Sequence, residues 1–402
     1  MKKNLRIFTS AIVITLVGIS ASHARQKEPV SKIKKYVTSG SVMLNDESGN
    51  PLISINPDKL FVPASIIKVL TSMIALDFLG KEYRFRTECY TNSRSDLIIK
   101  GYGDPFFVSD EIRLFAEKLK ESGVTEINTI VLDHSYFSSD LSIPGISQTS
   151  NPYDALNGAL VVNFNTVNII KEASGKVASA EEETPITPLA VEKGKDIAAG
   201  TKTRINLSAN RSDCSRYAGE LLQAIFREKG IAIMEDDIGE ATINTSKKPA
   251  FVYENSRKLP EVLTGLLKYS NNFIANQIFL EIGARRSGSP ATMQKSRAVF
   301  EQYIHSTLGI PENELVMVEG SGISRSTMVT GRVMISIMER FRPHAGLLTP
   351  KNGHPVKSGT LKGVHNYAGY ITTGKGLRPF VIMLNQEKNH RDIIMKLLAE
   401  FK

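Results

Sequence analysis

Three short segments carry side chains suited to catalysis. The first is Ser65-Ile66-Ile67-Lys68. On a helix, positions three apart share a face, so the serine hydroxyl and the lysine amine can meet. A serine hydroxyl is a poor nucleophile unless an adjacent base takes its proton. A lysine serves as that base only when neutral, which requires a lowered pKa. The apolar neighbours Ile66, Ile67, Val69 and Leu70 could desolvate it. Pro63 suits a helix start, where backbone N–H groups point outward and favour developing negative charge. Alone, a Ser-x-x-Lys is more often an N-cap serine followed by a surface lysine.

The second place is Ser270-Asn271-Asn272, a polar break in an otherwise apolar helical stretch from Leu259 to Ile282. Buried polar groups need a reason there, although a helix-to-helix turn with a cap would also explain them. The third is Lys357-Ser358-Gly359-Thr360, just ahead of strand-like residues. A glycine in a strand lets another backbone approach closely, and Lys357 adds a cation. In isolation this reads as a solvated turn.

These residues need elements to position them. Val42, Leu44, Leu52, Ile53 and Ile55 flank the turn residues Asp46 to Asn50, which predicts a hairpin. From Ser65 to about Leu79 the pattern is helical and apolar nearly all round, the mark of a buried helix, with Gly80 as its stop. From 84 to 210, short strand-like runs (Leu97 to Ile99, Ile130 to Leu132) alternate with turn-rich pieces, and 174–204 is polar. This stretch reads as an inserted, mostly β lobe. A helical pattern returns over 215–230 and ends at Gly230. The chain closes with a strand Tyr367 to Thr372, a turn at Gly374-Lys375-Gly376, a strand Phe380 to Leu384 and an amphipathic helix from His390 to Phe401.

Length and composition bound the rest. A chain of 402 residues with 41% hydrophobic and 23% charged residues is an ordinary globular one of two to three domains. That excludes a mainly disordered, collagen-like or polytopic membrane protein. Two cysteines, Cys89 and Cys214, are too few for a disulfide scaffold or a Cys-rich zinc module, though they could pair in an oxidising compartment. The histidines show no His-Glu-x-x-His spacing, so no metal is expected. A Ser/His route through His134, His354 or His365 stays open but secondary, because Lys68 already stands beside Ser65.

The first residues carry Lys2, Lys3 and Arg6, then an apolar run from Ile7 to Ile19, then Ser22-His23-Ala24. This is the pattern of a secretory signal peptide cleaved near Ala24; a membrane anchor would need a longer run. An exported protein works away from ATP and reduced nicotinamide, which favours hydrolases and binding proteins. The net charge of +9 suits peripheral association with an anionic wall or membrane surface. No nucleic-acid partner is expected.

Taken together, the order Ser-x-x-Lys, Ser-x-Asn, Lys-Ser-Gly resembles that of the penicillin-recognising serine transferases. The surrounding segments narrow the match: Phe61-Val62-Pro63-Ala64, Gly101-Tyr102-Gly103-Asp104-Pro105, Val162-Asn163-Phe164-Asn165 and Glu319-Gly320-Ser321-Gly322-Ile323-Ser324-Arg325. These are similar to the class C low-molecular-mass penicillin-binding proteins, the D-alanyl-D-alanine carboxypeptidase/endopeptidase group, over about residues 40 to 390. Departures are Asn271 where Asp is frequent, Ser358 where Thr is common, and a short 174–204 segment.

The resemblance implies an α+β fold, the penicillin-binding transpeptidase/serine β-lactamase-like sandwich of an antiparallel sheet flanked by helices, with an inserted mostly β lobe. The expected division is a signal peptide over 1–24, a transpeptidase domain over 25–84 and 211–402, and the lobe over 85–210. It implies an exported, periplasmic serine DD-peptidase that acts on peptidoglycan stem peptides without a cofactor and is acylated by β-lactams. Ser65 would be the nucleophile, Lys68 its base, Ser270 the proton relay, Asn272 a substrate anchor and Lys357 the supporting cation. Ser358, Gly359 and Thr360 would bind substrate. No Glu-x-x-Leu-Asn segment of the class A β-lactamases is present, so slow release of β-lactams is expected. The competing readings are a β-lactamase or esterase on the same fold, and a non-catalytic wall-binding protein.

Overall fold

The computed structural model describes residues 30–147, 149–207, 210–243 and 246–401. The expected signal peptide lies outside the described residues. The chain divides into two compact units.

The first unit takes in the chain up to Ile66, Asn313–Leu315 and the residues from Met328 onward. Its centre is a six-stranded antiparallel sheet in the order Pro350–Lys351, His354–Leu361, Val364–Thr373, Gly376–Leu384, Gly40–Asn45, Pro51–Ile55. The hairpin expected over 41–56 is present, and Gly49 (φ 92°) supplies the backbone its turn needs. Gly40–Asn45 pairs with Gly376–Leu384, with Gly40 opposite Leu384, so strands far apart in sequence share the middle of the sheet.

Side chains alternate across this sheet. On one face Val42, Leu44, Ile53, Tyr367, Phe380 and Ile382 pack with Ile394, Met395 and Leu398 of the helix Arg391–Ala399. On the other face lies the helix Gly331–Phe341, where Met338 O accepts from Tyr370 OH at 2.6 Å. A side chain at Gly331 would strike Ser41 Oγ at 2.0 Å, so glycine lets this helix start directly on the strand.

The second unit holds 67–312 and 316–327. Its helical part includes Lys68–Leu79, Leu259–Tyr269 and Asn272–Ser287. Each buries an apolar face, and Phe279 and Leu280 are fully enclosed. Gly80 (φ 83°) ends the first of them, as expected.

The rest of the unit is built on a five-stranded sheet in the order Ile238–Glu240, Ile130–Asp133, Leu97–Gly101, Arg84–Thr91, Phe251–Lys258. Its two edge strands come from beyond residue 210. Among the described residues, 84–210 carries seven strands and two α-helices. One of these helices, Ser109–Glu121, buries Ile112, Phe115, Ala116 and Leu119 against the helix Arg211–Glu228 and the sheet. A buried ion pair, Lys100 Nζ to Asp133 Oδ2 at 2.9 Å, lies within this sheet, and Ser135 Oγ also accepts from Lys100.

Candidate active site

In the first unit, Ser65 lies in the 3-10 turn Ala64–Ile67, which runs without a break into the helix Lys68–Leu79. Ala64 just before it has φ 48°, a left-handed backbone that a residue with a Cβ adopts only when held there. Two asparagines hold it. Asn385 Oδ1 accepts from Val62 N at 2.8 Å, and Asn366 Nδ2 donates to Val62 O at 2.9 Å and Pro63 O at 2.8 Å. Asn366 is fully buried and its Oδ1 accepts from Leu384 N at 2.9 Å, so every polar atom of that amide has work that fixes the lead-in to Ser65.

The strand His354–Leu361 carries Lys357, Ser358, Gly359 and Thr360. Lys357 and Gly359 are buried and Ser358 and Thr360 exposed, as strand alternation requires. A Cβ at Gly359 would lie 2.7 Å from Pro63 O and 3.0 Å from both Ser65 N and Ile66 N, so only glycine lets this strand meet the turn. Lys357 is 2% exposed, and burial pushes its ammonium down to about 8. Its Nζ donates to Ser358 O at 2.8 Å. Thr360 Oγ1 accepts from Arg391 Nη1 at 2.7 Å, and the Arg391 guanidinium stacks over Tyr367. Along its outer edge this strand pairs through His354 and Pro355, and Val356 N donates to Thr349 O at 3.1 Å.

In the second unit, Lys68 is fully buried. Its Nζ donates to Asn272 Oδ1 at 2.8 Å and to Ser321 O at 2.7 Å. The first and second sequence motifs therefore meet at Lys68 and Asn272. Ser270 caps the helix Leu259–Tyr269 in a left-handed conformation (φ 53°, ψ 36°). Asn271 caps the next helix, its Oδ1 accepting from Ile274 N at 3.1 Å. A polar residue at 271 is thus explained as an N-cap.

Two residues in this unit were not assigned roles from sequence, although the segment holding them stood out there. Glu319, fully buried, accepts from Ser321 N, Ser321 Oγ and Gly322 N at 2.6–2.7 Å, and from Ser324 N at 3.3 Å. That carboxylate shapes the turn whose Ser321 carbonyl receives Lys68. Gly320 fastens the turn to two helices, through Thr71 Oγ1 to Gly320 O at 2.6 Å and Gly320 N to Asn276 Oδ1 at 2.8 Å.

Of the histidines weighed as bases, His354 Nδ1 accepts from Thr372 N, and His365 Nε2 lies by Glu387 O. His134 pairs with Ser215 Oγ at 3.2 Å. Among the described residues, no group of three or more His, Cys, Asp or Glu is arranged to hold a metal ion.

The model of the D-Ala-D-Ala carboxypeptidase 3 (S13) family matches residues 32–201 and 197–349. The chain belongs to this family. It is a serine-type DD-peptidase, a hydrolase. The chain is 24% identical to the D-alanyl-D-alanine carboxypeptidase DacB of Haemophilus influenzae, over 92% of this chain and 89% of that protein. It is also 24% identical to the D-alanyl-D-alanine carboxypeptidase of Actinomadura sp., over 90% and 81%. Penicillin-binding protein 4 of Haemophilus influenzae has a similar structure, with a TM-score of 0.72 at 19% identity over 92% of this chain and 97% of that one. A penicillin G acylated endopeptidase of Bdellovibrio bacteriovorus is similar at a TM-score of 0.53 and 16% identity, over 90% and 91%. This S13 chain thus has the α+β fold of penicillin-binding protein 4.

Proposed function

We propose that Ser65 is the nucleophile of this S13 peptidase, and that it cleaves the D-Ala-D-Ala end of peptidoglycan stem peptides and D-alanyl cross-links. The observation that carries the reading is the buried Lys68 amine, held at 2.8 Å from Asn272 Oδ1 and 2.7 Å from Ser321 O. Fixed by two acceptors and one helical turn beyond Ser65, it is suited to take the hydroxyl proton as a neutral base.

In this mechanism Ser65 Oγ attacks the carbonyl carbon of the penultimate D-alanine and its proton passes to Lys68. The backbone N–H groups of Ser65 and Thr360 stabilise the oxyanion, an effect worth about 3–4 kcal/mol for one good donor. Ser270 hands the proton to the departing amine. Asn272 holds the substrate amide as well as Lys68. The substrate lies along the open edge of the strand bearing Lys357, in the manner of an added β-strand. Lys357 and Ser358 receive the terminal carboxylate. Thr360 acts through its N–H, since its hydroxyl is engaged by Arg391. Water then releases the acyl group from Ser65.

The same reading makes the protein exported, with cleavage near Ala24 and peripheral attachment to the wall or membrane surface through its positive charge. β-Lactams acylate Ser65 and leave slowly. The test is intact-mass spectrometry of the mature protein with and without benzylpenicillin, beside Ser65→Ala. One penicillin mass on the wild type alone is expected. No adduct on the folded wild type, or an equal adduct on Ser65→Ala, overturns the assignment. Release of the penicillin adduct at more than about one turnover per second would instead favour a β-lactamase.

A further inference from the structure

Three aromatic rings of the second unit form a chain. Phe106 follows the Gly103-Asp104-Pro105 turn, Phe164 lies in the segment Asn163-Phe164-Asn165, and Phe273 is the second residue of the helix Asn272–Ser287. Phe164 meets Phe106 edge to face at 5.7 Å and Phe273 edge to face at 5.8 Å. At its other end, Phe106 fills the space over Gly265, where an added Cβ would stand 2.8 Å from the ring. Gly265 belongs to the helix that runs into Ser270, and Phe273 to the helix that leaves it. One ring, Phe164, therefore ties together the two helices whose junction presents Ser270 and Asn272.

Phe164 occupies an unfavourable backbone to do so. Its φ is 60° and ψ 28°, and both neighbours are also left-handed, Asn163 at φ 46° and Asn165 at φ 54°. Asparagine tolerates this region; a bulky aromatic residue does not. The segment is held by its neighbours' side chains. Asn163 Oδ1 accepts from Ser109 N at 2.9 Å, and its Nδ2 donates to Ser109 Oγ and Tyr217 OH. Asn165 Nδ2 donates to Leu156 O at 2.8 Å. A connecting turn alone would be better served by asparagine at 164 as well. What phenylalanine adds is the ring. A second strap runs beside it: Asn157 Nδ2 donates to Phe273 O at 2.9 Å and to Gln277 Oε1 at 2.9 Å.

We propose that Phe164 is a positioning residue for acyl transfer: its ring fixes the junction that places Ser270 and Asn272, and through Asn272 it fixes Lys68. It touches none of the reacting atoms. The inference rests on the roles given above to Ser65, Lys68, Ser270 and Asn272.

The test is stopped-flow acylation by benzylpenicillin, with the acylated fraction counted at the end point by intact mass and the fold followed by thermal melting. Phe164→Asn removes the ring while relieving the backbone. Phe273→Leu removes the same edge contact from an ordinary helical position, and serves if the first variant does not fold. Expected is a full end-point adduct formed about tenfold to a hundredfold more slowly at saturating penicillin. The pH profile of acylation should shift, and Phe164→Tyr should restore most of the rate. A wild-type rate constant per acylated site, with or without a smaller acylated fraction, overturns the proposal and leaves Phe164 a structural residue only. An unacylated wild type would overturn the Ser65 reading itself, a separate result.

Discussion

Gly359 passes so close to Ser65 that a single added methyl group would stand 3.0 Å from the Ser65 backbone nitrogen and 2.7 Å from Pro63 O. Both contacts are with main chain, which has little room to yield. A donor aimed at an oxyanion is useful only if it stays where it is aimed.

Gly359→Ala should therefore slow acylation by benzylpenicillin at least about a hundredfold. The same methyl should cost about 1–3 kcal/mol of stability through overpacking. The check is the time course of adduct formation by intact mass, alongside urea unfolding. An acylation rate within threefold of wild type would show that the strand edge and the Ser65 amide are not jointly used.

Glu319 gathers four donors in a buried turn. Glu319→Ala leaves those donors without an acceptor and should destabilise the protein by about 3 kcal/mol or more. Glu319→Gln retains the shape but only one oxygen, and should fall between the two. Both should lower the acylation rate, because Ser321 O would no longer be held for Lys68 Nζ. Denaturant midpoints and acylation rates unchanged in both variants would remove Glu319 from the network.

Lys357 is a cation only below a pKa of about 8, since burial favours its neutral form. If it receives the substrate carboxylate, the kcat/KM for a D-Ala-D-Ala peptide should decline as pH rises through about 8. A peptide ending in D-alaninamide offers no carboxylate and should lack that limb, at lower overall efficiency. Rate profiles for the two substrates from pH 6 to 10 decide the matter; identical alkaline limbs would assign the titration elsewhere.

Asp104 gives a pH dependence of stability. Burial pushes its carboxyl up to about 7 from an ordinary 3.8, against hydrogen bonds from Asn255 Nδ2 and Phe106 N that pull it down. The folded chain thus binds this proton more tightly than the unfolded chain. The contribution to stability is fully present below pH 4 and is lost as pH rises towards 7, by at most about 1.4 kcal/mol per unit. Asp104→Asn should flatten this slope. Unfolding free energies of both proteins at pH 5, 6, 7 and 8 test it, and parallel curves would refute it.

Much of the architecture was legible from local patterns. The hairpin at 41–56, the helix from Ser65 to Leu79, the polar break at Ser270 and the C-terminal strands each follow from apolar period and turn residues. The helix Ser109–Glu121 is less legible: Ile112, Phe115, Ala116 and Leu119 recur at helical spacing, but short strand-like runs flank it on both sides. The candidate site was legible as residue types. Its supports were not, because Asn366, Asn385 and Glu319 act through side-chain bonds to backbone brought near only by the fold. Nothing in the sequence around Arg391 signals its bond to Thr360.

The two asparagines that hold Val62 and Pro63 are joined to the chain more than three hundred residues after the backbone groups they grip. A polypeptide that emerges N-terminus first displays the segment before Ser65 early and completes its clamp almost last. Until Asn366 and Asn385 arrive, Ala64 is under no compulsion to stay left-handed, and the serine beside it is an ordinary hydroxyl. Under the role proposed for Ser65, the chain gains its positioned nucleophile only once its last strands are in place.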